Sequence, residues 1–208
     1  MPLLTSEDIR RHSPFAWVCL AAMAGVSVWF WTLDRQSAAK GVAAALVGCL
    51  ALVLPPRERM DRLPWRVRAL PRRLDAVPML AALLSSPGYG LNWFYGANPY
   101  DETVHLSSGA LAGAVFAALL LADGKRRSAW RLALAGAAFG LVLGVAWELF
   151  EASVDLSGDW TDTWTDVALT ALGAAPGAAL TGRPERAARR LDAALVGGDP
   201  QTRGPAPG

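Results

Sequence analysis

The sequence predicts an all-α fold, a polytopic membrane helix bundle with about six transmembrane helices, and three observations predict it. Hydrophobic residues make up 53% of the 208-residue chain, against 18% charged. The apolar residues are gathered into six blocks, roughly 15 to 32, 38 to 54, 75 to 94, 103 to 122, 129 to 150 and 163 to 181. Each is near the ~20 residues that cross ~30 Å of hydrocarbon. None alternates between apolar and polar, and a bilayer core tolerates only helices or closed barrels, so blocks of this length are helices.

The blocks differ in ways that matter for packing. The first, with Arg10 and Arg11 ahead of it and Ser37-Ala38-Ala39 behind it, has the outline of a signal peptide. It is read as a retained helix, because the topology below closes only if it is kept. The second is the shortest. The third is interrupted by Ser85-Ser86-Pro87-Gly88-Tyr89-Gly90, where proline removes a backbone donor, so a kink is expected there. The last three carry small residues that allow membrane helices to approach closely: Gly109 and Gly113, then Gly136, Gly140 and Gly144, then Gly173 and Gly177. Residues 1–182 form the bundle in this reading. Residues 183–208 form a cytoplasmic Arg/Ala-rich surface segment and a disordered tail. Cys19 and Cys49 read as small packing residues, with no disulfide or metal assigned to them.

Sorting Lys and Arg by connection orients the bundle. Arg57, Arg59, Arg62, Arg66, Arg68, Arg72 and Arg73 fill the second connection, and Lys125, Arg126, Arg127 and Arg131 the fourth. Arg10 and Arg11 precede the first helix, and Arg183, Arg186, Arg189, Arg190 and Arg203 follow the last. The other three connections hold only Arg35 and Lys40. By the positive-inside rule both termini are cytoplasmic and the connections at 33 to 37, 95 to 102 and 151 to 162 face the other side. Trp29, Trp31, Trp93, Trp147, Trp160 and Trp164 fall at that outer interface, where indole rings prefer to sit. The basic connection 57 to 73, interleaved with Met60, Leu63, Trp65, Val67 and Leu70, is expected to lie on anionic lipids of the cytoplasmic leaflet. Nucleic acid is set aside as a partner.

With this orientation the outer face is acidic. Carboxylates at helix N-termini favour the macrodipole, which accounts for Asp101, Asp162 and Asp166 at the starts of the fourth and sixth helices. It does not account for Glu148 and Glu151, which end the fifth helix, where the dipole disfavours negative charge. Stepping by three or four, Gly136, Gly140, Gly144, Glu148 and Glu151 form one stripe, so the carboxylates continue the packing face. The same count aligns Asp162, Asp166, Gly173 and Gly177, and places Asp101, His105, Gly109 and Gly113 within one broad face. Packing through these stripes brings DxxxH, ExxE and DxxxD together. Glu102 points about 100° from Asp101 and is left out, and Asp155 and Asp159 are read as solvated loop residues.

Five carboxylates and one imidazole share a partly desolvated site only if some are protonated or a cation is bound. The candidate metal ligands are therefore Asp101, His105, Glu148, Glu151, Asp162 and Asp166, with a divalent Mg, Mn, Fe or Zn as the cofactor such ligands suit. A protonated hydrogen-bond network is the competing reading.

The stretches NPYDETVHLSSGALAG and GLVLGVAWELFEASVDLSGDWTDTWTDVALTALGA resemble the YjdF-like family of small bacterial inner-membrane proteins, whose function is unknown. The matching pattern is NxYDxxxH, ExxE after an aromatic, and DTxxD opening a helix that ends in Gly-Ala. It covers Asn98 to Ala174. The resemblance implies a bacterial cytoplasmic membrane location and supports treating the six residues as one unit, but it brings no reaction.

Three functions compete. One is a divalent-metal-dependent enzyme acting on a lipid head group or lipid-linked substrate, with a spare carboxylate as general base. Another is an ion- or proton-binding protein. The third is a scaffold whose carboxylates fix helix register. Nucleophilic-serine, phosphate-loop, dinucleotide and paired-cysteine zinc motifs are absent from the sequence. Ser108, one turn from His105, is ranked low as a nucleophile because serines on membrane helices usually bond to their own backbone.

Overall fold

The structure, a computed structural model, describes residues 12–95, 98–153 and 158–182. Its helices are α1 (Pro14–Thr32), α2 (Gln36–Val53), the short α3 (Trp65–Arg68), α4 (Val77–Gly90), α5 (Tyr100–Leu121), α6 (Ala129–Ser153) and α7 (Trp160–Thr181). Single 3-10 turns at Arg57–Arg59 and Arg72–Ala76 flank α3. No strand occurs among the described residues, so the expected all-α bundle is what forms. Residues 183–208, expected to form a surface segment and a disordered tail, lie outside the described residues.

All six apolar blocks become helices, and they are not equivalent. By length and composition, α1, α2, α5 and α6 are able to cross a membrane. At 14 residues, α4 rises only ~21 Å. The 22 residues of α7 open with a polar half carrying Thr161, Asp162, Thr163, Thr165 and Asp166. The expected kink in the third block takes the form of an early end. Helix α4 continues through Pro87 and stops at Gly90, and Asn92, at φ 60°, turns the chain back. The returning Phe94 ring then lies where a Cβ on Gly88 would be, and the Phe30 ring of α1 occupies the same place at Gly90.

Two groups of helices divide the molecule. Around Met23, Phe30 and Met79, all fully buried, α1, α2 and α4 build an apolar core that also takes in Ala16, Leu20, Val42 and Val53. Cys19 and Cys49 are unpaired and buried in this core, as their packing role requires.

The second group is built on glycine. Helix α7 packs against both α5 and α6, much more extensively than those two pack against each other. A Cβ added to Gly140 would lie 2.7 Å from the Ala174 Cβ, one on Gly136 2.6 Å from the Ala178 Cβ, and one on Gly144 2.9 Å from the Val167 Cα. On the other side, Gly109 and Gly113 of α5 face the backbone of Thr170 and Ala174, while Gly173 and Gly177 of α7 face the backbone of Leu106 and Ala110. Lipid is as apolar as leucine, so close backbone approach, not escape from water, holds such helices together. Large side chains go outward: Val18, Val47, Leu52, Leu134, Val142, Leu149 and Leu172 are exposed, as a lipid-facing surface allows.

One end of the bundle carries the arginines, and many of them do not face outward. Asp75, Arg57 and His12 are buried, and Asp75 pairs with both Arg57 and Arg72. Arg72 also grips Glu58 through both carboxylate oxygens, at 2.8 and 2.6 Å, and Arg57 donates to the Leu70 carbonyl at 2.8 Å. Beside them, Arg66 donates to the Leu119 and Leu120 carbonyls at the end of α5 and to Asp123, which Arg127 also binds, at 2.7 and 2.6 Å. The Arg127 hydrogen bonds hold the Asp123 carboxyl well below the usual carboxylate range. Within the connection 57 to 73, Arg57 and Arg72 thus turn inward on Asp75, Arg72 also reaches the Val53 carbonyl at the end of α2, and Arg66 reaches the end of α5.

Candidate functional site

At the opposite end, local hydrogen bonds set the starts of α5 and α7. Asn98 Oδ1 accepts the Tyr100 N–H at 3.0 Å, and the Tyr100 hydroxyl donates to the Leu84 carbonyl of α4. The Tyr100 ring stacks edge-on against Trp93 and leans on Phe94, which anchors the start of α5 to the end of α4. Helix α7 is capped by Asp159, whose Oδ1 accepts from the N–H groups of Thr161 at 2.8 Å and Asp162 at 3.0 Å. Asp159 is exposed and precedes the helix, as a loop residue does, and its carboxylate also satisfies the first free amides of α7. Asp155 lies outside the described residues.

Within the first two turns of these helices, three of the expected residues converge. His105 Nε2 lies 3.6 Å from Asp101 Oδ1 on its own helix and 3.5 Å from Asp166 Oδ2 on α7. One ligand atom from each residue falls within 4.8 Å of the others. His105 Nδ1 lies 3.3 Å from the Thr170 hydroxyl, so the ring partners Thr170 and not Ser108. Asp166 is 3% exposed, while Asp101 and His105 are half-buried. Separations of 3.5 and 3.6 Å are long for a charge-assisted hydrogen bond, which favours about 2.7–2.9 Å. They match the spacing of ligands around one small cation: two donors at about 2.1 Å in tetrahedral geometry stand about 3.4 Å apart.

Glu148, Glu151 and Asp162 stay outside this triad. Glu148 is 7% exposed, and its Oε1 is buried without a hydrogen-bond partner. The hydroxyl of Tyr89 donates to Glu151 across a long 3.4 Å. Both glutamates and Asp162 nevertheless lie within electrostatic range of Asp166. Helix α6 ends at Ser153, so the two glutamates occupy its last turns, where the dipole disfavours them.

A cavity of about 300 Å³ opens beside the triad, lined by Phe94, Asn98, Asp101, Glu102, Asp162 and Asp166 among others. Its lining contains no Lys or Arg among the described residues. Glu102, set aside because it projects away from Asp101, belongs to this lining, since the cavity spans the first turn of α5 widely enough to take both. Thr170, Tyr89 and Glu102 are the neighbours that sequence reasoning missed. Thr170 was within reach, being four residues after Asp166 on the same helix face. Tyr89 was not, because its place depends on where α4 ends.

The fold and this end of it define a class: an all-α membrane protein with a His/Asp cluster where three glycine-packed helices meet. More particularly, the chain belongs to the family described as predicted membrane protein DUF2238, whose model matches residues 15–184. This is the YjdF-like family, and the match takes in the first helices as well as the segment from Asn98 to Ala174. No curated protein and no solved structure matches the chain.

Proposed function

We propose that Asp101, His105 and Asp166 hold a divalent cation, Mg, Mn, Fe or Zn, which acts on a lipid head group or lipid-linked substrate entering the adjoining cavity. The observation that carries this reading is His105 Nε2 facing two carboxylate oxygens at 3.5 and 3.6 Å, from two helices locked together by glycine contacts. Three protein ligands with an open side toward a cavity is the arrangement of catalytic sites; structural sites close the fourth position with protein. A cation there polarises a phosphoryl or carbonyl oxygen, or activates water. Glu148, buried nearby with a free oxygen, is the carboxylate available as general base.

The proposal includes the setting. The chain sits in a bacterial cytoplasmic membrane with both termini inside and the cavity at the outer interface, where exposed Trp147, Trp160 and Trp164 suit the head-group region. Arg62, Arg73, Lys125, Arg126 and Arg131, exposed at the other end, meet anionic lipids of the inner leaflet. An ion- or proton-binding protein without catalysis is the second reading, favoured by the same unpartnered Glu148 oxygen, which a proton would satisfy.

Elemental analysis of the purified protein decides between them. Wild type should carry about one divalent ion per chain, and Asp166→Asn should lose it. Glu148→Gln should keep the ion but abolish turnover of head-group substrates if the residue is a base. Wild-type protein free of metal, with Glu148→Gln more stable than wild type, would leave the proton-binding reading.

A further inference from the structure

His105, the proposed metal ligand, has a side-chain hydroxyl as the partner of its second ring nitrogen, and this inference rests on the cation reading above. The second ring nitrogen of a metal-bound histidine is usually oriented by a carboxylate or a backbone carbonyl, which only accept, or by a water, which also donates. Here the partner of Nδ1 is the Thr170 hydroxyl, at 3.3 Å, and a hydroxyl both donates and accepts. Without a cation, the favoured tautomer carries its proton on Nε2, because that nitrogen faces the carboxylates of Asp101 and Asp166. Nδ1 is then an acceptor, and Thr170 donates to it. With a cation bound, Nε2 must offer its lone pair, the proton sits on Nδ1, and Thr170 accepts. A carboxylate in place of Thr170 would stabilise only the second arrangement.

We propose that Thr170 is a positioning residue: its hydroxyl partners Nδ1 of His105 in either tautomer, so that the ring keeps Nε2 aimed between Asp101 and Asp166 with and without a cation. Packing keeps Thr170 in place for this role. It is 6% exposed, and its backbone lies directly against Gly109, one turn along α5 from His105. Neither partner can drift without separating α5 from α7.

The test uses zinc as the probe and full-length protein in detergent, with Thr170→Val and Thr170→Ser. Valine keeps the shape and removes the hydroxyl, and serine restores it. The chain has two histidines, so nitrogen-labelled histidine with a His12→Gln variant assigns the His105 signals directly. In wild type the proton should move from Nε2 to Nδ1 when zinc binds. Zinc affinity should fall about 10- to 100-fold in Thr170→Val and return in Thr170→Ser. Zinc bound by Thr170→Val as tightly as by wild type, or one tautomer with and without zinc, overturns the role of Thr170 while leaving the cation site standing. Wild type that takes up no zinc, manganese, iron or magnesium overturns both.

Discussion

Gly109 of α5 packs on the backbone of Thr170 of α7, and this contact sets the height at which His105 meets Asp166. Each member of the second pair lies four residues before its counterpart in the first, and four residues further on Gly113 packs on Ala174. One register, repeated turn by turn along two helices running the same way, joins the packing face to the cluster.

Substitutions in that register should therefore damage both. Gly109→Leu, Gly140→Leu and Gly173→Leu place a branched side chain where a Cβ alone would already lie closer than 3 Å to the neighbouring helix. Overpacking of this kind costs about 1–3 kcal/mol, and for a chain of this size each kcal/mol is worth about 2–4 °C of melting temperature. Melting in detergent should show the loss. Variants that melt like wild type would mean that these faces do not meet.

Asp75 should be among the least replaceable polar residues. Asp75→Ala leaves Arg57 and Arg72 beside an empty position, and Arg57 is buried. Breaking a buried ion pair by removing one partner costs about 3–5 kcal/mol. Expression level and detergent melting should both fall sharply. Replacement of exposed Asp61, which pairs with Arg68, should change little.

Asp123 makes stability depend on acid. The Arg127 and Arg66 hydrogen bonds lower its folded pKa below the unfolded value, which is about 3.9. Its contribution is thus fully present above that value and is lost as pH falls through the folded pKa. Wild type should be more stable than Asp123→Asn at neutral pH, with the gap closing below about pH 4. A gap that grows on acidification would contradict this sign.

Topology is open to labelling. With the native Cys19 and Cys49 buried, single cysteines at Asn98 and Lys125, both exposed, should react from opposite sides of the membrane, Asn98 from outside. Labelling of both from one side would refute the arrangement.

The sequence by itself determined what depends on local composition and period. Apolar blocks marked the helices, because each must satisfy its backbone within itself in lipid. Glycine every four residues marked the faces of α5, α6 and α7, and arginine sorting marked the two ends. Asp101, His105 and Asp166 were legible as a unit because helical spacing put each on a glycine face. Tertiary structure decided the rest. Glu148 and Glu151 fell outside the triad because spacing along one helix says nothing of its register with another, and Asp162 because it lies a turn before Asp166 on α7. Arg57 turned inward on Asp75 because an ion pair between residues 18 apart forms only once the chain between them has folded back. Thr170 became the partner of His105 for the same reason: two residues 65 apart acquire a common height only when Gly109 lets the helices that carry them touch.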